Sequence, residues 1–177
     1  FESGCSKMQL GKLHTGGDYW LSCAGPSDRF ARMAESARNK CGFAAKLQVA
    51  CSHEDATIPY VPAPGLLYEK YKAMKALGVE HVIMCWYFGN YPSLMNKAAG
   101  ELAFLSDFSD KKAFLSYLAG IYWGRTKAEK VVKAWEFFEK GYKNCILNVM
   151  SSYYGPMHDG PVWLLQLKPK NYPLPRS

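Results

Sequence analysis

The sequence lacks the short motifs that mark several large classes of enzyme site. It contains no GxGxxG, no Walker A sequence, no HExxH or HxH, and no GxSxG. Dinucleotide, P-loop nucleotide, zinc-protease and α/β-hydrolase sites are therefore not predicted. The histidines also lack the spacing of metal ligands; they are His14, His53, His81 and His158. We expect neither a metal nor a cofactor.

Long apolar runs and dense basic clusters are also missing. No run approaches the roughly 18 apolar residues that cross a bilayer, and no signal-like segment opens the chain. The net charge is +7, but no five-residue basic cluster occurs, and lysines such as Lys70, Lys72 and Lys75 alternate with apolar helical positions. That pattern is typical of solvated helix faces. We expect no nucleic-acid partner, no membrane partner and a cytoplasmic location.

Cysteine is present but not in paired motifs. None of the six cysteines forms a CxxC pair, so we expect reduced, buried thiols rather than a disulfide framework. Cys51 and His53 stay open as an alternative nucleophile and base.

Three short β-prone runs alternate with two helical patterns in the first half of the chain. The runs span residues 18–23, 43–50 and 81–87. Ser27 predicts the start of the first helix, which extends to about Lys40, and Gly78 predicts the end of the second. A βαβαβ order makes successive strands parallel and brings the segments that follow them to one edge of the sheet.

The second half of the chain has mainly helical patterns. One helix is predicted from about Asp110 to Tyr122, stopped by Gly124, and the next is predicted to open with a capping box of Thr126 and Glu129. Its core face is predicted to be apolar and mainly aromatic; the positions are Val131, Trp135, Phe138 and Tyr142. Residues 1–17 and 151–177 are predicted to be loop-rich.

These patterns predict an α/β fold, specifically part of a (β/α)8 (TIM) barrel with parallel strands, followed by a helical region. Residues 1–95 would form C-terminal βα repeats, with Phe1 and Glu2 as the stub of an earlier strand. Residues 96–150 would form the helical region, and 151–177 a tail. The absence of an initial Met suggests a fragment, whose exposed sheet edges predict a homo-oligomer. A complete three-layer α/β domain is the alternative.

Glu54 is the main candidate for acid/base chemistry. It follows a predicted strand directly and lies between His53 and Asp55, and a neighbouring carboxylate raises the pKa of a general acid. Capping of a turn by this segment is the alternative. Glycoside hydrolysis needs a second carboxylate, for which Glu2 and Asp28 are available, although Asp28 also suits the first turn of a helix.

Aromatic and amide side chains gather around the same predicted edge. Trp86 ends the third strand, Tyr60 lies in the long segment opposite, and Asn90 and Gln48 supply amides. Sugar rings stack on aromatic faces while their hydroxyls bind amides. The edge therefore favours carbohydrate as the ligand, with either Trp86 or Tyr87 facing it, because side chains alternate along a strand.

Several segments resemble one known family. They are Ala45 to Gln48, His53-Glu54, Ile58 to Pro62, Trp86 to Ser93, the helical stretch from Tyr122 to Phe138, and Tyr154-Gly155-Pro156. Together they are similar to the C-terminal half of bacterial glycoside-hydrolase-like barrel proteins and the helical region that follows. This chain departs from the family pattern at His53, where the pattern has Trp, and at Asn90, where it has Gly.

The resemblance implies a glycosidase acting on glycans or glycoconjugates, and it matches the position of Glu54 without assigning its role. We expect such a protein to be inactive as an isolated fragment. The residues themselves make Glu54 and Glu2 the expected catalytic carboxylates. The residues expected to bind substrate are Trp86, Tyr60, Asn90, Gln48, Asp28 and His53. A non-catalytic carbohydrate- or protein-binding α/β domain is the competing hypothesis.

Overall fold

A computed structural model describes residues 1–9, 11–15, 22–50, 60–84, 92–104 and 108–144. This part of the chain contains four strands and five helices. The strands are β1 (Ser6–Gln9), β2 (Lys12–Thr15), β3 (Ala44–Leu47) and β4 (His81–Met84). The helices are α1 (Asp28–Ala37), α2 (Pro64–Leu77), α3 (Leu94–Phe104), α4 (Lys111–Trp123) and α5 (Arg125–Lys143).

The middle of the chain forms a parallel βαβ unit, as the sequence predicts. Strands β3 and β4 pair in parallel, from Ala44 opposite His81 to Leu47 opposite Met84, and α2 connects them. Gly78 ends α2 in the left-handed conformation, with φ at 74°, which glycine adopts without steric cost. The helix predicted before this unit is also confirmed, because the Ser27 hydroxyl accepts a hydrogen bond from the Phe30 backbone nitrogen and caps α1.

The predicted barrel does not appear in the described residues. They form two separate two-stranded sheets, of which only the β3–β4 pair is parallel. The strand predicted at 18–23 falls mostly outside the described residues, and Ser22 and Cys23 are not in a strand. Phe1 nevertheless lies beside β3, since its main-chain nitrogen donates to the Lys46 carbonyl oxygen at 3.0 Å.

Residues 1–17 were predicted to be a loop, which is wrong for residues 6–9 and 12–15, because they form two strands. Strands β1 and β2 form an antiparallel hairpin, with Ser6 opposite Thr15 and Gln9 opposite Lys12. Gly11 lies in the turn between the two strands and has φ at 74°, a conformation that suits a tight hairpin. The two strands carry few β-branched or aromatic residues, so their propensity did not indicate a sheet.

In the helical half, the predicted bounds of α4 are confirmed, and the predicted start of α5 is wrong. The Asp110 carboxylate accepts a hydrogen bond from the Ala113 nitrogen at 2.8 Å and caps α4, which ends at Gly124 as predicted. The predicted capping box of the next helix is wrong, because α5 begins at Arg125 directly after Gly124 and Thr126 lies inside it. The chain therefore turns from α4 into α5 within one residue.

Helix α2 lies at the centre of the hydrophobic core and contacts α1, α3, α4 and α5. Side chains from α2, α3, α4 and α5 are fully or nearly fully buried in this core, and Phe30 of α1 packs against it partly buried. The buried side chains include Leu66, Leu67, Met74, Met95, Leu102, Phe114, Leu118 and Trp135. On α5 the predicted face is partly wrong: Trp135 and Tyr142 are buried, but Phe138 is 55% exposed. Glu139 is buried in its place.

Four charged side chains explain why Glu139 is buried. Lys111 of α4 contacts Glu69 of α2 at 2.7 Å and Glu139 of α5 at 3.0 Å, and Lys143 contacts the same two carboxylates at 3.1 and 2.9 Å. Buried carboxylates are tolerated when they are paired and hydrogen-bonded. This four-charge cluster joins three helices.

The cluster changes the pKa values of its members. Burial alone would raise the pKa of Glu69, but hydrogen bonds from Lys111 and Lys143 outweigh it and lower the pKa below the usual value. Burial would likewise lower the pKa of both lysines, yet their bonds to the two carboxylates raise it. Both shifts favour the charged forms between acid and strongly alkaline pH.

Replacing Glu69 by Gln should therefore destabilise the protein in a pH-dependent way. Because the folded pKa of Glu69 is lowered, its contribution is present above the unfolded value near 4.3 and disappears as pH falls through the folded value. We expect a loss of about 1 kcal/mol at pH 7, typical of partly exposed ion pairs. Urea unfolding at pH 7 and pH 3 measures the difference, which should be smaller at the lower pH.

The matched control is Glu35→Gln, which removes a carboxylate from the exposed Glu35–Arg38 pair at the C-terminal end of α1. That variant should unfold with wild-type stability at both pH values, since such pairs contribute little. An equal loss for Glu69→Gln at pH 3 and pH 7 would contradict the electrostatic explanation.

Candidate functional site

An open groove lies where two of the predicted site segments rejoin the described structure. Tyr60 follows the segment 51–59, which holds His53 and Glu54, and Pro92 follows the segment 85–91, which holds Trp86 and Asn90. The groove has a volume of about 430 Å³. We call it the aromatic groove; its lining residues are Tyr60, Pro92, Ser93, Leu94, Lys97, Tyr122 and Trp123.

The start of α3 forms one wall of the aromatic groove. The Ser93 hydroxyl accepts a hydrogen bond from the Asn96 nitrogen at 3.2 Å, which fixes the first turn of the helix. Lys97 follows one residue later, and its Nζ lies 4.7 Å from the centre of the Tyr122 ring. This cation–π contact places a positive charge at the wall of the groove.

The end of α4 supplies the aromatic wall. The Trp123 ring packs edge-on against Trp135 at 5.5 Å and against Tyr122 at 5.9 Å. Trp123 is nevertheless 41% exposed, as Tyr60 is 36% exposed. Aromatic rings that are supported on one side and exposed on the other suit the C–H faces of sugar rings, while a few polar groups fix the orientation of the ligand.

A second cluster lies at the carboxyl end of β3 and contains two predicted site residues. Lys70 of α2 contacts the Glu2 carboxylate directly, and its Nζ also donates to the Gln48 carbonyl oxygen at 3.2 Å. The Gln48 nitrogen donates to Oε1 of Glu2 at 3.1 Å. All three residues are buried. The structure thus brings Glu2 and Gln48 together, and Lys70 joins them.

Lys70 is a residue that the sequence argument misplaced. A solvated helix face was expected for it, yet its side chain is 0% exposed. Its position next to Tyr71, with Leu67 and Met74 one turn away on either side, placed it on the buried face of α2. That helical spacing was the signal that could have identified it.

The remaining predicted site residues do not join these clusters in the described part of the chain. Asp28 is exposed and occupies the first turn of α1, the position in which a carboxylate stabilises a helix N-terminus. The positions of His53, Glu54, Trp86 and Asn90 lie outside the described residues. Their proposed roles stay predictions.

Within the described residues, no group of three or more His, Cys, Asp or Glu side chains could hold a metal ion. Among the described helices, none is both long enough and apolar enough to span a bilayer.

Comparison with known proteins found no match for this chain among protein-family models, curated proteins or solved structures.

The buried pair of Lys70 and Glu2 yields a stability prediction. Lys70→Met should destabilise the protein by about 3 kcal/mol, because the buried Glu2 carboxylate loses its directly bonded counter-charge. The Phe1 amino group stays as a more distant one, 3.9 Å from Oε2 of Glu2. The double variant Glu2→Leu/Lys70→Met should recover much of this loss, since an apolar pair needs no counter-charge. Urea unfolding of the two single variants and the double variant measures the coupling. Additive losses would show that the two side chains do not depend on each other.

Proposed function

We propose that this chain is part of a glycoside hydrolase that acts on glycans or glycoconjugates and holds the sugar in the aromatic groove. The observation that carries the proposal is the meeting of Tyr60, Tyr122 and Trp123 around one open groove. This groove lies where the chain leaves the segments that contain Glu54 and Trp86. Exposed aromatic rings with Lys97 beside them suit a polyhydroxylated ligand that has apolar ring faces.

The proposed architecture is a larger parallel sheet of the (β/α)8 type, in which β3 and β4 are neighbouring strands. The β3–α2–β4 connection supports it, because crossover units of this kind build such sheets. Exposed apolar residues on β4 support it further: Ile83 is 59% and Met84 47% exposed. Further strands, or the sheet of a second copy in a homo-oligomer, would cover them.

In the proposed reaction, Glu54 donates a proton to the leaving glycosidic oxygen as general acid. A second carboxylate then acts as nucleophile or base, and the separation of the two decides between retention and inversion. Glu2 is a weak candidate for the second role in the arrangement described, because it is buried and bonded to Lys70 and to the Gln48 nitrogen. Asp28 is exposed but lies in a helix turn.

Glu54→Gln should lower the hydrolysis rate of a chromogenic glycoside by about 10²–10⁴-fold, since it removes the transferable proton. The assay uses the whole protein to which this chain belongs. The melting temperature should change little, because Gln keeps the shape of Glu. The matched control, Glu129→Gln, removes an exposed carboxylate from α5 and should keep full activity. Full activity of Glu54→Gln would disprove its role as the acid.

Tyr60→Ala should weaken oligosaccharide binding by about tenfold, as expected for the loss of one stacking ring. Calorimetric titration with a panel of oligosaccharides measures this change. Phe137→Ala is the matched control, because Phe137 is an exposed aromatic residue on α5 away from the groove lining. Equal affinities of both variants and the wild type would contradict binding in the aromatic groove.

The two assays together separate the glycosidase from the competing hypothesis. A glycosidase should lose turnover with Glu54→Gln and keep its affinity for oligosaccharide. A non-catalytic binding domain should bind saturably, lose affinity with Tyr60→Ala, and hydrolyse no glycoside in any form.

A further inference from the structure

Two cysteine thiols meet beside the Glu2–Lys70 pair, away from the aromatic groove. Cys5 and Cys23 are hydrogen-bonded through their sulfur atoms. Cys5 is buried and Cys23 is half-buried. Neither thiol has a role in the proposed hydrolysis. With 17 residues between them, they form no motif that would predict their pairing.

The chain around each thiol is fixed by contacts of its own. The Cys5 nitrogen donates to the Glu2 carbonyl oxygen at 2.8 Å in the turn before β1. Lys7 Nζ donates to the Ser22 hydroxyl at 2.6 Å, which ties β1 to the residue next to Cys23. The backbone of Gly25 makes a further hydrogen bond to Cys23. The two segments are therefore held together independently of the thiol contact.

The surroundings make the two thiols chemically unequal. The hydrogen bond with Cys5 lowers the pKa of Cys23 to about 7, and the Gly25 backbone and Lys70 act in the same direction, against burial and Glu2. The same hydrogen bond and burial raise the pKa of Cys5. Because the thiolate is the reactive form, Cys23 is the nucleophile of the pair.

We propose that Cys5 and Cys23 form a reversible disulfide by exchange with a low-molecular-weight disulfide, of which glutathione disulfide is the test reagent. The position carries the proposal: two thiols in contact, one of them reachable from solvent, on segments that other bonds hold together. The proposal does not depend on the proposed hydrolase function.

The exchange takes two displacements. The Cys23 thiolate attacks one sulfur of glutathione disulfide, the glutathione S–S bond breaks, and one glutathione thiolate leaves and takes up a proton. Cys5 then loses its proton and attacks the Cys23 sulfur of the mixed disulfide, which displaces the second glutathione. Two protein thiols are oxidised to one disulfide, and one glutathione disulfide is reduced to two glutathione molecules.

Peptide mapping tests the proposal directly. The protein is equilibrated in glutathione buffers of increasing oxidised fraction, quenched with acid, alkylated, and digested with trypsin without reduction. Mass spectrometry should then find the peptide 13–29, which contains Cys23, cross-linked to the peptide that ends at Lys7 and contains Cys5. The cross-link should disappear on returning to reduced glutathione. Its absence at every ratio would overturn the proposal, as would pairing of either thiol with Cys41, Cys51, Cys85 or Cys145.

Single variants test the order of attack. Cys5→Ser should stop at a mixed disulfide of glutathione with Cys23, whereas Cys23→Ser should leave Cys5 unmodified in the folded protein. Circular dichroism shows whether each variant is folded. If a variant is unfolded, the peptide map of the wild-type protein decides whether Cys5 and Cys23 pair. Cys41→Ser, which removes an exposed thiol, is the matched control and should leave the cross-link unchanged.

A pH profile provides a second readout. Alkylation of Cys23 in the wild type should reach half its maximal rate near pH 7, and the rate should rise with pH as the thiol ionises. Half-maximal alkylation above pH 8.5 would contradict the assignment of Cys23 as the nucleophile. Cross-linking of Cys5 to Cys23 that is equally selective in urea would contradict the proposal, because the contact between the two thiols in the folded protein would then have no role.

Discussion

The burial of one charge, that of Lys70, constrains much of this structure. An ammonium group without exposure is stable in a folded protein only when an anion and further hydrogen-bond acceptors surround it. Glu2 provides the anion and the Gln48 carbonyl provides an acceptor. Three parts of the chain that are distant in sequence must therefore meet at the carboxyl end of β3: the start of the chain, the strand end and the middle of α2.

The position of α2 in turn sets the position of the aromatic groove. Its apolar face packs against α3 and α4, and these helices carry Lys97, Tyr122 and Trp123 to the groove. The four-charge cluster holds α5 against the same helix, so that Trp135 lies under Trp123. Helices α3 and α4 thus supply Leu94, Lys97, Tyr122 and Trp123, four of the seven lining residues of the aromatic groove.

Local signals in the sequence predicted local structure well. The caps at Ser27, Gly78 and Gly124 depend on neighbouring residues, and the parallel βαβ connection depends on one handedness rule. These predictions are confirmed, as is a helix that starts near Asp110. The β1–β2 hairpin was missed because its strands lack strong β-formers and its stability comes from pairing. Phe138 was predicted to be buried, but Glu139 is buried instead. Helical spacing alone cannot show that lysines on two helices stabilise a buried carboxylate.

The candidate site was predictable only in part, for a related reason. Tyr60 was identified because a long proline-rich segment after a strand is a common place for ligand contacts. Tyr122, Trp123 and Lys97 were not assigned to a site, since they reach the groove through the packing of α3 and α4, and no sequence spacing reports that proximity. The catalytic role of Glu54 depends on a partner carboxylate, whose distance only three-dimensional contacts can give.

The four-charge cluster also bears on how the fold responds to heat. The cost of removing charged groups from water falls as temperature rises, while stabilisation by apolar burial levels off. A network of alternating charges across α2, α4 and α5 therefore gains relative weight on warming. Within the described residues no comparable network links β1 to β2, whose side-chain contact is the hydroxyl pair of Ser6 and Thr15. Heating should consequently loosen the hairpin before it separates the three helices.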